Sequence, residues 1–276
     1  MTTVYVRADS RPTAPPPPNA SSNEGNRLDI ESDELGSQLV EILADLGRLG
    51  EHVPIERWCL VGGLMVELRL RERGRASVRP TTDGDIVGDV RAQPTVLRAI
   101  SRSLSIIGYE MQRTGWEADI GVRHKRGDNF IDVLAPANTD NMSADISVGA
   151  RARPLRAPGS DHALATAAPL AISVDGGAPV VVRVPTVAGA LYAKVSGWKE
   201  IGSPDSTKHL VDAAQLLAAA TIADLDATTN GIPPKALQKR LRWLEEALED
   251  ERSSGWGSLS TNDRSDALER LRFAIR

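Results

Sequence analysis

The sequence has little of several things that would mark a secreted or membrane-bound protein. It contains one cysteine, Cys59, in 276 residues, so no disulfide can form within the chain, which suits a reducing cytoplasm. No run of about 18 apolar residues is present, as a membrane-spanning helix would need. The N-terminus also lacks the basic-then-apolar order of a secretory signal. We therefore expect a cytoplasmic protein with no membrane partner.

Aromatic residues and excess positive charge are scarce as well. Aromatic residues make up 4% of the chain, and the formal net charge is −4. The first value predicts few platforms for base stacking, and the second excludes a positive field over the whole protein that would attract nucleic acid. Any contact with nucleic acid must come from local patches. Among the histidines, His52, His162 and His209 show no metal-ligand spacing, so no zinc site is expected.

The composition predicts a globular protein in two parts behind a tail. Hydrophobic residues make up 41% and charged residues 25% of the chain, which is an ordinary globular balance. Residues 1–28 are rich in proline and small polar residues and are expected to be a disordered tail. Strand and helix patterns alternate in residues 29–185, whereas residues 186–276 show helical patterns only. The predicted fold class is α/β in the α+β sense, a mixed sheet flanked by helices and followed by a helical C-terminal domain.

The most informative stretch is residues 57–87. The apolar residues 58–61 predict a short buried strand, Gly62 and Gly63 follow it, and an amphipathic pattern predicts a helix over residues 64–73. Asp83 and Asp85 then begin a second strand pattern, where residues i and i+2 point to the same face. Two carboxylates that close repel each other unless a cation binds, and oxygen ligands suit Mg²⁺. The glycine amides at a helix N-terminus favour an anion such as phosphate.

This order of strand, glycine pair, helix and Asp-x-Asp resembles the nucleotidyltransferases of the polymerase-beta type. The resemblance implies a third carboxylate on a neighbouring strand, and Asp132 in the apolar pattern of residues 130–134 fits that position. Two departures stand out. Gly63 occupies a position where the family often has serine, so a hydroxyl contact to phosphate would be missing, and the spacer from Gly63 to Asp83 is long.

Periodicity and turn signals predict the other elements. Helices are expected at residues 33–49, with Ser32 or Asp33 as N-cap, and at residues 94–107. Strands are expected at residues 109–113, 116–124, 129–134, 171–174 and 180–184. Helices with caps at Thr186 and Ser203 follow, and two more begin at Pro233-Pro234 and at Thr261 or Asn262.

The helical part carries a second cluster of charged residues. Lys194 lies within one predicted helix, and Lys208 and Asp212, at i and i+4, share a face of the next. By itself this spacing favours a solvated ion pair worth roughly 0.3–0.5 kcal/mol. The order of core and helices, however, resembles the AbiEii family of nucleotidyltransferase toxins from type IV toxin–antitoxin systems. Lys194 and Asp212 match the lysine and the aspartate of that family's helical domain.

The resemblance implies a reaction and a set of roles. The chain would transfer a nucleoside monophosphate from a nucleoside triphosphate to a hydroxyl. The resemblance implies a tRNA 3′ end as the acceptor and a cognate antitoxin protein as a partner. Two Mg²⁺ ions would be held by Asp83, Asp85 and Asp132, the last of which would share the second ion or take the proton of the attacking hydroxyl. Lys194 and Asp212 complete the implied catalytic set. The residues expected to bind substrate are Gly62, Gly63, Arg79, Thr82, Lys194 and Lys208.

Three basic clusters are candidates for phosphate contacts, although charge runs are more often solvated surfaces. They are residues 69–79 with their five arginines, residues 123–126, and Arg151, Arg153 and Arg156. Two alternatives stay open. One is transfer to a small hydroxyl compound such as an aminoglycoside, which an acidic pocket would favour. The other is a degenerate fold that serves only as a binding module, which would not need all three aspartates.

Overall fold

The computed structural model describes most of the chain after the N-terminal segment. The described residues are 26–113, 121–137, 139, 154–201, 206–226, 231–257 and 259–275. Most of the predicted tail, residues 1–25, lies outside them. The boundary expected after residue 28 falls inside the first strand, which begins at Arg27.

The first part of the described chain alternates between helices and strands. A single helix was expected at residues 33–49, but Gly36, with φ of +81°, interrupts it. The N-cap of the short first helix is Glu31, which shares a capping box with Glu34, and neither Ser32 nor Asp33 caps it. The elements are β1 Arg27–Ile30, α1 Ser32–Leu35, α2 Ser37–His52, β2 Trp58–Val61, α3 Gly62–Arg71, β3 Asp83–Gly88 and α4 Val96–Ile106.

Strands dominate the middle of the chain. They form a hairpin at Gly127, as the turn signal predicted, with φ of +58° at that glycine. The expected strand at residues 116–124 is described only from Gly121, and the stretch before it lies outside the described residues. The elements are β4 Glu110–Arg113, β5 Gly121–Arg126, β6 Asn129–Pro136, β7 Leu155–Ala157, α5 Ser160–Thr166, β8 Ala167–Val174 and β9 Val180–Pro185.

The strands form two sheets. One contains β1, β8 and β9, in that order. The other has the order β2-β3-β6-β5-β4, with β7 pairing with β6 as well. In this mixed sheet β3 and β6 run parallel, whereas β2 pairs with β3 and β5 pairs with β6 in antiparallel fashion. Helices α2 and α4 pack on the sheet at β3 and β6.

The C-terminal part, after residue 186, consists of helices and connecting segments wherever the structure describes it. Thr186 caps the first of these as predicted, because its hydroxyl accepts a hydrogen bond from the amide of Gly189 at 3.3 Å. The predicted cap at Ser203 lies outside the described residues. The helices are α6 Val187–Ile201, α7 Thr207–Ala219, α8 Pro234–Leu248 and α9 Thr261–Ile275.

One cluster of buried apolar side chains joins the two parts. It runs from Leu28 in β1 to Leu271 in α9. Helix α3, which follows the glycine pair, makes the connection because it packs against both β3 and the helices α6 and α7. The start of β3 and the start of α3 therefore lie next to the helical part.

Candidate functional site

The three aspartates come together on the two central strands of the mixed sheet. Asp85 and Asp132 are direct partners in the parallel pairing of β3 with β6. Asp83 precedes Asp85 by two residues and therefore points to the same face. One carboxylate oxygen from each of the three lies within 4.8 Å of the others. The predicted placement of these residues on adjacent strands is confirmed.

The surroundings of Asp85 in this cluster raise the pKa of its carboxyl group. Burial, followed by the negative charges of Asp83 and Asp132, raises its pKa to about 7. A divalent cation would relieve this repulsion, and clustered carboxylate oxygens are the donors that Mg²⁺ prefers. The donor set therefore fits the predicted metal.

Arg123 neutralises part of the cluster. Its guanidinium donates to both oxygens of Asp132, at 2.9 and 2.8 Å, and reaches Asp83 at 3.4 Å. The hydrogen bond to Asp132 is the main reason that the pKa of Arg123 is raised. Counting the register back from the turn at Gly127 pairs Arg123 with Asp132. Counting this register requires only the sequence. From the sequence, however, we treated Arg123 only as a member of a basic cluster.

The glycine pair fits tightly against this cluster. Gly62 has φ of +71°, and a Cβ atom built on it would lie 1.7 Å from Oδ2 of Asp85. A side chain at position 62 would therefore displace the aspartate. A Cβ atom on Gly63 would lie 2.5 Å from the hydroxyl of Thr81. The glycines thus let the backbone at the start of α3 approach the carboxylates closely.

Thr81 lies at the site where Thr82 was expected. Thr81 lines the cavity, and its hydroxyl donates to Oδ1 of Asp83 at 2.9 Å. Thr82 is exposed and does not line the cavity. Alternation along the extended chain explains the difference, because residues 81, 83 and 85 share one face.

The helical part contributes a buried ion pair. Nζ of Lys194 on α6 donates to Oδ2 of Asp212 on α7 at 2.7 Å, and both side chains are at most 5% exposed. Arg79 also pairs with Asp212, at 3.1 and 2.9 Å. Burial alone would raise the pKa of Asp212, but the positive charges of Lys194 and Arg79 outweigh it and lower that pKa. The interpretation of Asp212 as half of a solvated pair with Lys208 is wrong.

His209 is a site residue that the sequence did not reveal. It lines the same cavity, and burial together with the charge of Lys194 lowers its pKa to about 4. The imidazole is therefore neutral near pH 7. Its Nδ1 atom is buried and has no hydrogen-bond partner among the described residues.

These groups surround one cavity of about 340 Å³. Of the predicted substrate residues, Gly62, Gly63, Arg79, Lys194 and Lys208 line it, together with the three aspartates. Its walls come from both parts of the chain, because β3 and β6 face α6 and the start of α7. The cations that line it are Arg79, Arg123, Arg156, Lys194 and Lys208.

The arginine cluster at residues 69–79 has a structural role. Arg69 donates to the backbone carbonyls of Pro185 and Val184, at 2.6 and 2.8 Å. The other arginines of this cluster form ion pairs: Arg71 with Glu67 and Glu34, Arg73 with Asp224, Arg75 with Asp263 and Arg79 with Asp212. Only Arg79 among the five lines the cavity. The expectation that this cluster contacts phosphate is therefore not met for the other four.

The second basic cluster is also largely paired, and the third is only partly described. The Nε2 atom of His124 lies 2.8 Å from the hydroxyl of Ser101 in the interior. Arg126 pairs with the buried Asp45, and Lys125 lies over the ring of Phe130 at 5.3 Å. Of the third cluster, Arg156 lines the cavity, whereas residues 151 and 153 lie outside the described residues.

Comparison with known proteins adds no relative. No model of a known protein family matches the chain, and no curated protein matches it significantly. Within the described ranges, no helix combines the length and the apolar character that crossing a membrane requires.

Proposed function

We propose that the protein is a Mg²⁺-dependent nucleotidyltransferase, which moves a nucleoside monophosphate from a nucleoside triphosphate to a hydroxyl group. One observation carries the proposal. The carboxylates of Asp83, Asp85 and Asp132 gather within 4.8 Å, opposite the glycine backbone that begins α3. Carboxylates for cations and amides for phosphates therefore line the same cavity.

In this proposal, one group of residues contacts the phosphate oxygens and another holds the cations. The backbone at Gly62 and Gly63 and the ammonium groups of Lys194 and Lys208 receive the phosphate oxygens. Asp83 and Asp85 would hold one cation, and Asp132 would hold a second cation or accept the proton of the attacking hydroxyl. When bound, Mg²⁺ stabilises the charge that develops on the attacking and leaving oxygens.

The reaction forms one bond and breaks one. The acceptor oxygen bonds to the α-phosphorus, the bond from that phosphorus to the bridging oxygen breaks, and pyrophosphate leaves with the electron pair. The hydroxyl proton passes to Asp132 or to solvent. Arg123 must release Asp132 for either role, because its guanidinium engages both carboxylate oxygens.

The cations of the cavity favour a polyanionic acceptor. Five cationic side chains line it beside three carboxylates. A positively charged aminoglycoside would meet repulsion there, whereas an RNA end would not. We therefore propose an RNA 3′-hydroxyl, a tRNA 3′ end by the resemblance to AbiEii toxins, and with it the role of a toxin whose partner is a cognate antitoxin.

A transfer assay tests the proposal. The protein is incubated with Mg²⁺, each labelled nucleoside triphosphate in turn, and either total tRNA or an aminoglycoside. We expect label on tRNA from at least one triphosphate, and none with the Asp85→Asn variant. Label on the aminoglycoside alone would identify a small-molecule enzyme. No labelled product with any pair, from protein shown to be folded by circular dichroism, would leave a non-catalytic binding module.

A further inference from the structure

The outer face of α8 carries a row of cations outside the cavity. Lys235, Lys239 and Arg242 follow one another at i, i+4 and i+7 on the exposed side of the helix. They span seven residues, or roughly 10 Å along the axis at about 1.5 Å per residue. Together with Gln238, Trp243 and Glu246 they line an open depression.

These cations differ from the arginines of residues 69–79 because the structure, where it describes the chain, shows no counter-ion for them. Among the described residues, no carboxylate pairs with Lys199, Lys235, Lys239 or Arg242. The neighbouring acids have other partners: Glu200 pairs with Arg240 and Glu245 pairs with Arg272. Of the acidic residues that the structure describes, Glu246 alone lines the depression. The face therefore has a local excess of positive charge in a protein whose net charge is −4.

Three cationic side chains lie close to the indole ring of Trp243. Lys239 lies 4.9 Å, Arg240 4.9 Å and Lys199 5.8 Å from the centroid of Trp243. The ring holds the cationic groups in place through cation–π attraction. Cations that crowd one ring repel each other, and an anion bound between them relieves that repulsion. A row of fixed cations on a helix matches a ligand with successive negative charges.

The position of this face relates it to the cavity. Helix α6 contributes Ala193, Lys194, Gly197 and Ile201 to the cavity wall. From the same helix, Lys199 reaches Trp243 on α8. The cavity and the contact between Lys199 and Trp243 therefore lie on different sides of α6, a helix about 10–12 Å across with its side chains.

We propose that the α8 face, defined as Lys199, Lys235, Lys239, Arg242 and Trp243, binds the phosphate backbone of an RNA. This deepens the proposed function, since such an RNA would be the acceptor whose 3′ end enters the cavity around α6. Phosphate contacts set the position of a nucleic acid and do not read its sequence. The α8 face would thus supply affinity, and the cavity would select the reacting end.

Salt-dependent binding of the full chain to labelled total tRNA tests the proposal. The test variant is Lys239→Gln/Arg242→Gln. The matched control is Arg98→Gln/Arg102→Gln, which removes two exposed cations, also about one turn apart, from α4 in the other part of the chain. We expect the test variant to bind at least tenfold more weakly at low salt. Its plot of log affinity against log salt should be shallower by about 1.4–1.8, the loss of two phosphate contacts. The control should stay within twofold of wild type.

Three outcomes would overturn the α8 assignment. They are an equal loss in both double variants, no loss in either, and no binding of tRNA by wild type. Vesicles with anionic headgroups serve as a second probe, and binding to them without binding to tRNA would assign the face to a lipid surface. Equal melting temperatures of the two double variants exclude misfolding as the cause of a difference.

The α8 proposal and the proposed function can fail separately. If tRNA binds through α8 but no triphosphate is transferred to it, the surface stands and the nucleotidyltransferase does not. If wild type transfers nucleotide to tRNA and Lys239→Gln/Arg242→Gln binds and transfers equally well, the enzyme stands and the surface does not. Asp85→Asn, which alters only the cavity, should bind tRNA as wild type does.

Discussion

Asp85 lies where β2, β3 and the start of α3 meet, and its protonation links metal binding to the stability of the fold. Its pKa rises from 3.8 to about 7 on folding, so the folded state binds more protons than the unfolded state between those values. Stability must then fall as pH rises from about 4 to about 7, and it stays low above that range. A cation bound to the carboxylates should restore it.

We predict that Asp85→Asn abolishes nucleotide transfer and raises the melting temperature at pH 8. The amide keeps the shape of the carboxylate but removes one charge from the repelling cluster. A gain of roughly 1–2 kcal/mol, or about 2–8 °C, is expected. Mg²⁺ at pH 8 should raise the melting temperature of wild type and leave that of the variant unchanged. Asp33→Asn, at an exposed carboxylate, is the control. Full transfer activity in Asp85→Asn would refute the metal assignment.

A second prediction at this scale concerns the buried pair of Lys194 and Asp212. Asp212→Asn should destabilise the fold by about 3–5 kcal/mol, because it leaves the buried ammonium without a counter-charge. Lys194→Met should destabilise it less, since Arg79 still pairs with Asp212. The double variant should recover much of the loss. All three should lower transfer at least tenfold, about 1.4 kcal/mol of barrier.

Denaturant unfolding and the transfer assay separate these two effects. A double variant whose destabilisation equals the sum of the single losses would show that the residues do not act as a unit. Normal transfer by Lys194→Met would restrict the lysine to a structural role.

The sequence predicted the residues of the site where local patterns determine them. Two-residue alternation places Asp83 and Asp85 on one face, and the resemblance to a known family implied a third carboxylate, which Asp132 fits in its apolar strand pattern. It did not predict that Arg79 would pair with Asp212, 133 residues away. Neither did it show that His209 would be half-buried near Lys194. Contacts of this kind depend on how α6 and α7 pack, which no local pattern contains.

Among the elements, the segment between α3 and β3 shows most clearly how a charge run can be structural. The amide of Ser77 donates to Glu67 at 3.0 Å, and that of Val78 donates to Gln215 on α7 at 2.7 Å. Arg73 and Arg75 add ion pairs to Asp224 and Asp263. Contacts with the helical part therefore fix this segment at several points. They place Arg79 and Thr81 at the cavity.

We predict that Arg73→Gln and Arg75→Gln each lower stability by at most about 1 kcal/mol, as expected for exposed ion pairs. Neither should change the salt dependence of tRNA binding. Glu67→Ala should destabilise the fold by about 1–3 kcal/mol, because it leaves the amide of Ser77 without its acceptor in a half-buried position. A shallower salt dependence in either arginine variant would return these residues to phosphate binding.

Element boundaries followed the sequence where a glycine, a proline or an apolar run set them. The strand at residues 58–61 and the start of α8 at Pro234 agree with the predictions. The prediction of one continuous helix at residues 33–49 was wrong. The leucines keep helical spacing on both sides of Gly36, so their pattern did not indicate the positive φ of that glycine. The α8 face was not predicted, because its lysines and Trp243 had no motif to distinguish them from a solvated surface.

At the scale of the whole molecule, β1 marks where the fold begins. Leu28 and Ile30 of β1 are 8% and 3% exposed, and the strand pairs in parallel with β8 at the edge of the smaller sheet. The strand therefore belongs to the core, although the composition had assigned its first two residues to the tail.

We predict that deleting residues 1–25 changes the melting temperature by about 1 °C or less, because their composition offers little apolar surface to bury. Deleting residues 1–30 should destabilise the protein by about 3–6 kcal/mol, since it removes two buried aliphatic side chains, at about 1.5–3 kcal/mol each. Thermal unfolding of both truncations against the full chain measures the difference. Equal losses in the two would show that the first 25 residues pack on the fold.

The sharing of Asp212 between Arg79 and Lys194 limits how such a protein can diversify by exchange of segments. Arg79 is encoded before β3, and Lys194 and Asp212 more than 100 residues later, yet the one carboxylate of Asp212 pairs with both cations. A recombinant that took its first 185 residues from one ancestor and its helices from another would leave Arg79 without its carboxylate, or Asp212 with one cation fewer, wherever the parents differed at residue 79 or 212. The two parts are therefore expected to have descended together, with changes at these positions occurring in concert.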